Sequence, residues 1–327
     1  MSKYYFFALS LCIALYLSFG LVLLTSACEG NYYMVYKQML HIVLALMAAF
    51  GMTLLSSRQL QLLSFLVYIL GNILLIMVLL IGYTGKGAQR WLDLGVVRFE
   101  PSEILKIALP LCIASLAEFD TVPIRRNTIY ACLILIAIPF LLIAKQPDLG
   151  TASITALIGI ATMLIAGFPL RYFGYGIVFF VGCSPMLWHL LHDYQKNRIL
   201  TLLMPHSDVS GTGYHIMQAK IAIGSGGILG KGWIQGTQTH LQYLPEQNTD
   251  FIFALCAEEF GFLGCLFLLL AFNIILWLCF RISTTAQDNF SRIACAGIGI
   301  AYALCTCINI AMVCGIIPVV GIPLPMI

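Results

Sequence analysis

Charge is what this sequence has least of. Only 9% of its 327 residues are Asp, Glu, Lys or Arg, against roughly a quarter in a soluble domain. That excludes a solvated globular surface, and with 61% of residues hydrophobic the chain must use lipid as its solvent. Net charge is scarce as well. A formal +3 over so long a chain offers no basic field, so no nucleic-acid partner is expected. Paired cysteine spacing is missing: Cys112, Cys132, Cys183, Cys256, Cys265, Cys279, Cys305 and Cys314 fall in apolar runs, and Cys28 stands alone. Cys305 and Cys307 lie two apart with no second ligand pair nearby. This excludes a disulfide framework and a zinc site, and leaves the thiols as small apolar packing groups. His192, His206, His215 and His240 also lack metal-ligand spacing. After Lys3 the first apolar run is too long for a signal-peptide core and has no small-residue cleavage site, so it stays as a helix.

What the chain has instead is apolar length. Runs near 5–26, 38–56, 60–83, 102–118, 128–145, 150–168, 172–191, 250–280 and 290–316 each reach the roughly 17 residues needed to cross hydrocarbon. Nine spans with short breaks predict an all-α polytopic membrane protein, a single bundle over 1–327 with one large extracytoplasmic loop, 192–249. With the N-terminus inside, the inner breaks hold Lys3, Arg58, Arg125, Arg126, Arg171, Arg281 and Arg292. The short outer breaks hold Lys37, Lys86, Arg90, Arg98 and Lys145. The bias is small but places the N-terminus in the cytoplasm. The outer basics cluster as if they serve a ligand.

Several polar positions carry two readings each. Asp250, at the end of Glu246-Gln247-Asn248-Thr249-Asp250, stands where a polar loop enters a long apolar helix. It is either part of a helix cap or an ionisable group placed at the membrane for chemistry. Lys86, Gln89, Arg90, Trp91, Asp93, Arg98, Glu100 and Glu103 crowd the entry to the fourth span, with Lys106 inside it. Glu103 and Lys106, three apart, share a helical face. They form either an internal salt bridge or part of a cationic pocket for a pyrophosphate headgroup. Asp148 opens the sixth span, as an N-cap or as a site carboxylate.

Past Asp250, helical geometry puts Ala254, Ala257, Gly261 and Gly264 within about 40° of its face, for close helix packing or as a groove for a lipid tail. Glu258 and Glu259 lie off that face, and at least one needs a partner or water. In the long loop, Tyr214 to Ile223 predicts a short interfacial helix. The following Gly224-Ser225-Gly226-Gly227-Ile228-Leu229-Gly230-Lys231-Gly232 fails as a phosphate loop, because Lys231 is followed by glycine and no strand precedes it. Flexible backbone beside a membrane cleft is the expectation there.

The segments Gly87-Ala88-Gln89-Arg90-Trp91-Leu92, Phe99-Glu100-Pro101-Ser102-Glu103-Ile104-Leu105-Lys106, Lys145-Gln146-Pro147-Asp148-Leu149-Gly150-Thr151 and Glu246 to Ile252 resemble the signature blocks of the SEDS family. Pro318-Val319-Val320-Gly321-Ile322-Pro323-Leu324-Pro325 resembles another. The resemblance covers nearly the whole chain in order and leans to the elongation branch, with the division branch next. It implies a SEDS-type helical bundle of ten spans, of which about nine are present here and the C-terminal one is missing.

The resemblance further implies a peptidoglycan glycosyltransferase that polymerises lipid II on the outer face of the cytoplasmic membrane. Asp250 would then be the base acting on the acceptor hydroxyl. Arg98, Lys106 and Lys145 would stabilise the pyrophosphate, with Glu103 orienting Lys106 and Asp148 carried over from its block. A divalent cation, Mg or Mn, suits pyrophosphate chemistry, although no residue set here fixes a metal cage. The implied partners are a class B penicillin-binding protein transpeptidase and other elongation-complex membrane proteins. Two competing readings are a lipid II flippase and a scaffold that only recruits a synthase. The polar groups gather at one face and no inverted repeat is apparent, which favours the enzyme.

Overall fold

The computed structural model describes residues 2–28, 32–85, 88–93, 98–191, 193–204, 212–240 and 249–326. The chain forms two compact units. One comprises Met1–Thr53, Leu191–Leu278 and Cys305–Ile327, the other Leu54–Leu190 and Cys279–Leu304.

The second unit begins with α3 (Ser57–Ile81), which Ser56 and Gln59 open through reciprocal side-chain-to-backbone caps. A small antiparallel sheet follows, formed by β1 (Tyr83–Gly85), β2 (Ala88–Asp93) and β3 (Arg98–Phe99) in that order. The chain then enters α4 (Pro101–Ala117), with proline at its first position where no backbone N–H is needed. Next come α5 (Arg126–Lys145), α6 (Leu149–Ala166) and α7 (Leu170–Leu190). Leu75, Leu105, Leu109, Cys112, Ile113 and Ile143 form the centre of its core. Pro139 inside α5 deprives the Leu135 carbonyl of its helical donor. The Tyr68 hydroxyl of α3 donates to that carbonyl at 2.8 Å, so a break in the α5 ladder becomes a tie between helices.

The first unit contains α1 (Ser2–Ala27), α2 (Tyr32–Thr53), α8 (Asp193–Leu203), α9 (Thr212–Ser225) and α10 (Thr237–His240). It also takes most of α11 (Ile252–Thr285) and the end of α12 (Asn289–Val313). The α11 helix is broken at Gly261, whose φ of 63° and ψ of −158° are not helical. The glycine loop fills the break. Lys231 N donates to Glu258 O and Gly232 N to Glu259 O, both at 3.0 Å. On the other side Phe262 N donates to Gly227 O at 2.9 Å and Leu263 N to Ile228 O at 3.1 Å. Polar backbone freed by a break in a membrane helix thus finds partners in a loop without water.

The loop expected to be flexible is therefore packed. Glycine permits this approach, since a Cβ on Gly230 would lie 2.1 Å from the Glu259 carbonyl oxygen. One on Gly261 would lie 2.3 Å from Gly230 N. Gly261→Ala is expected to destabilise the protein by more than ~3 kcal/mol through clash and backbone strain. Thermal unfolding in detergent checks this, and an unchanged midpoint would dismiss the loop–break junction as a stability element.

The helical expectation holds, with the small sheet as an addition that irregular, mixed-polarity residues 83–99 did not announce. Among the described residues seven helices, α1, α2, α3, α5, α6, α11 and α12, are long and apolar enough to cross a membrane. The protein is a multi-pass membrane protein. Two of the nine expected spans stand outside that set: α4, short at 17 residues, and α7, which carries Pro185 within it. The short helix expected at Tyr214–Ile223 is present as α9.

Candidate functional site

In the second unit the sheet and the starts of α4 and α6 assemble a cluster of charge. Alternation along β2 turns Leu92 and Arg90 inward, leaving Leu92 buried and Trp91 exposed. Arg90 Nε then lies 3.0 Å from Asp148 Oδ2. Asp148 is also the N-cap of α6, accepting from Thr151 N at 3.2 Å and Thr151 Oγ1 at 2.8 Å. The backbone cap and the ion pair use different oxygens of one carboxylate, so the cap reading of Asp148 holds and the same side chain also meets Arg90. The residue is 2% exposed, and so deep a carboxylate requires such partners.

The Lys106 ammonium meets Glu103 Oε1 at 2.6 Å, one helical turn away. Their burial is unequal: the lysine side chain is 6% exposed and the glutamate 49%. The accessible member of the pair is thus the carboxylate, while the ammonium sits inside the second unit. Glu100, at the head of α4, accepts from Ser102 Oγ at 2.6 Å. Burial pushes its carboxyl above the usual range, and the negative charges of Glu103 and Asp148 add to this against Ser102 and Lys106. Gln146 Nε2 donates to Leu75 O at 3.0 Å, tying the loop before Asp148 to α3. Lys145 is exposed at the end of α5. The backbone of Arg98 pairs with Asp93, and its side chain lies outside the described structure, as does Lys86. Arg90 and Glu100 were legible as part of the charge cluster before α4, but the pairing of Arg90 with Asp148 was not. Only the sheet register aims the arginine, and its partner Asp148 is remote in sequence.

Asp250 belongs to the first unit. It sits in a turn ahead of α11, where the Phe251 carbonyl accepts the first helical bonds, from Ala254 N at 2.9 Å and Leu255 N at 3.3 Å. Asn309 Nδ2 holds the Asp250 carbonyl at 2.9 Å. Glu246, Gln247 and Asn248 lie outside the described residues.

The expected stripe from Asp250 through Gly264 does not exist as one face. The break at Gly261 resets the helical phase, and Gly226 packs against the Ala257 carbonyl. Both neighbouring glutamates are engaged. Ser26 Oγ donates to Glu259. Glu258, fully buried, accepts from Lys231 Nζ at 2.6 Å, Thr237 Oγ1 at 3.1 Å and Gln238 N at 2.9 Å. Lys231→Met strips the cation from this buried carboxylate and is expected to cost about 3–5 kcal/mol. Adding Glu258→Met should recover most of that in a thermal-shift measurement. A single variant that melts with the parent would show the pair to be dispensable.

The two units thus offer different chemistry. The second presents cations balanced by carboxylates, one buried at Asp148 and one half-accessible at Glu103, and cations of this kind suit an anionic headgroup. The first presents a carboxylate at a helix entrance whose main chain is held in place. Among the described residues no three His, Cys, Asp or Glu side chains converge as a metal site requires.

Comparison with known proteins agrees over the full length. The FtsW/RodA/SpoVE family, described as "Cell cycle protein", matches residues 2–327. The peptidoglycan glycosyltransferase MrdB of Escherichia coli K12 is 48% identical over 261 residues, 80% of this chain and 70% of that protein. The stage V sporulation protein E of Bacillus subtilis is 37% identical over 264 residues, covering 77% and 69%. Among solved structures, one on structural coordination of polymerization and crosslinking by a peptidoglycan synthase complex contains a chain with a TM-score of 0.84 and 28% identity, covering 98% of this chain and 90% of that one. The Rod shape determining protein RodA of Thermus thermophilus has a TM-score of 0.71 and 25% identity, covering 98% and 88%. With a family match across the chain and a relative this similar, the protein belongs to the FtsW/RodA/SpoVE, or SEDS, family.

Proposed function

We propose that this chain polymerises lipid II into glycan strands at the outer face of the cytoplasmic membrane, with its N-terminus inside, during cell elongation. It is a peptidoglycan glycosyltransferase, and in this reading residues 1–327 work as one membrane domain. The observation that carries the proposal is the 48% identity to a peptidoglycan glycosyltransferase over most of the chain. The buried cation–carboxylate cluster supports it on chemical grounds.

Asp250 acts as general base and takes the proton of the acceptor sugar 4-hydroxyl. The freed oxygen attacks the anomeric carbon of an α-linked donor as the bond to pyrophosphate breaks, and direct displacement gives a β-linked product. Lys106, with Arg98 and Lys145, stabilises charge growing on the leaving pyrophosphate, which is stronger in a site shielded from water. Glu103 orients Lys106, and Asp148 holds Arg90 and the start of α6. A bound Mg or Mn ion would add charge at the pyrophosphate, and no step here depends on it.

The proposed partner is a class B penicillin-binding protein within a complex of elongation membrane proteins. The similarity to a chain of a peptidoglycan synthase complex supports an assembly of that kind. The test is polymerisation of labelled lipid II by the purified chain, alone and with the transpeptidase. Glycan strands made faster with the partner are expected. Equal turnover with and without it would refute activation. Transbilayer movement of lipid II without polymer would favour a flippase, and neither activity in any condition would favour a scaffold.

A further inference from the structure

We infer that Asn309 is a positioning residue for Asp250, acting by clamping the aspartate's own main chain to the C-terminal proline-rich segment. The inference rests on the reading of Asp250 as the base. Asn309 lies on α12 with no exposed surface. Its Nδ2 donates to two carbonyls, Asp250 O at 2.9 Å and Ile322 O at 2.7 Å. Neither acceptor is inside a regular helix. Asp250 is in the turn before α11, and Ile322 is in the irregular stretch after α12.

Only a side chain with two N–H groups on one nitrogen can hold both strands from one point. Aspartate and leucine have nearly the same shape and no N–H, and serine has a single donor. Packing closes the clamp. Phe251 and Ile252 on one side, and Ile322 and Leu324 on the other, are buried. Val320 N also donates to Met312 Sδ at 3.4 Å, a second tie from that segment to α12. Gly321, at φ 79°, makes the turn before Ile322 in a conformation a side chain would oppose.

The consequence is geometric. With its main chain held, the Asp250 carboxylate keeps only two side-chain torsions, and a base must sit within about 2.6–3.2 Å of the proton it takes. A displacement of about 1 Å costs on the order of 100-fold in rate. The motif Pro318–Pro325 thereby gains a role that its composition did not suggest: it is the other jaw of the clamp.

The experiment uses the full chain in lipid nanodiscs with labelled lipid II, comparing Asn309→Leu, Asn309→Ala and Asn309→Ser. Two readouts are taken: hydrogen exchange of peptides covering 249–255 and 319–324, and steady-state polymerisation kinetics. Exchange is expected to rise in both peptides. For the first two variants kcat should fall about 10- to 100-fold while KM stays within roughly 2-fold. Asn309→Ser, with one donor left, should fall between. Asn309→Leu should add nothing to the loss caused by Asp250→Asn. Unchanged exchange in all three variants would overturn the clamp. Raised exchange with unchanged kcat, or an effect on KM alone, would overturn the positioning role. Near-normal polymerisation by Asp250→Asn would instead remove the base, a different failure, and the exchange data would still report on the clamp.

Discussion

Asp250→Asn is expected to abolish glycan polymerisation and leave the protein folded. The substitution leaves the main-chain ties of the region in place. Asn309 binds the main-chain carbonyl of residue 250, and α11 begins on the carbonyl of Phe251. Asparagine caps as well as aspartate, so even a capping contribution survives. Stability should stay within about 0.5–1 kcal/mol of the parent. What is lost is the ability to accept a proton, and a positioned base is worth about 10²–10⁴ in rate. Lipid II turnover and thermal midpoint should be measured on the same preparation. A rate loss above about 100-fold at an unchanged midpoint is the expected pair of results. A variant that polymerises normally would take Asp250 out of the mechanism.

The second large effect is expected at Lys106, where activity and stability should separate. The 2.6 Å pair with Glu103 is lopsided, with the lysine 6% exposed and the glutamate 49%. Removing Glu103 takes a counter-charge from a deeply placed cation, whereas removing Lys106 leaves a carboxylate that water already reaches. Glu103→Gln is therefore expected to destabilise, by up to about 3 kcal/mol. Lys106→Met should cost less than about 1 kcal/mol, because the remaining charge is screened. Polymerisation should respond in the opposite order. Loss of the cation that meets the pyrophosphate should lower turnover by about 10²–10³, while Glu103→Gln, which keeps Lys106, should retain more activity. The double apolar variant should express and melt like the parent but stay inactive. Full activity in that double variant would confine the pair to architecture.

The parts of the site that could be read from the sequence are those whose partners lie within a helical turn. Glu103 and Lys106 are three residues apart, and Asp148 caps the N–H three residues on, so the geometry of a helix start is enough to connect them. The membrane class was equally legible, because lipid solvation acts on composition over every run of about 20 residues. The stripe beyond Asp250 failed for the complementary reason. A constant 100° per residue assumes an unbroken helix, and Gly261 breaks this one where a loop far back in the chain supplies the missing hydrogen bonds. That loop looked flexible because glycine is permissive in isolation. Once packed against carbonyls, the same lack of a Cβ makes it fit.

By itself, then, the sequence determined a multi-pass helical membrane protein, the local cap at Asp148, the Glu103–Lys106 pair and the place of Asp250 at a helix entrance. Tertiary structure alone decided that Arg90 answers Asp148, that Lys231 neutralises a fully buried Glu258, and that Asn309 joins Asp250 to Ile322. The physical reason is range. Hydrophobic length and helix capping are set by neighbours along the chain. A buried charge or carbonyl takes whichever partner the fold brings within about 3 Å, and nothing in the spacing of residues names that partner beforehand.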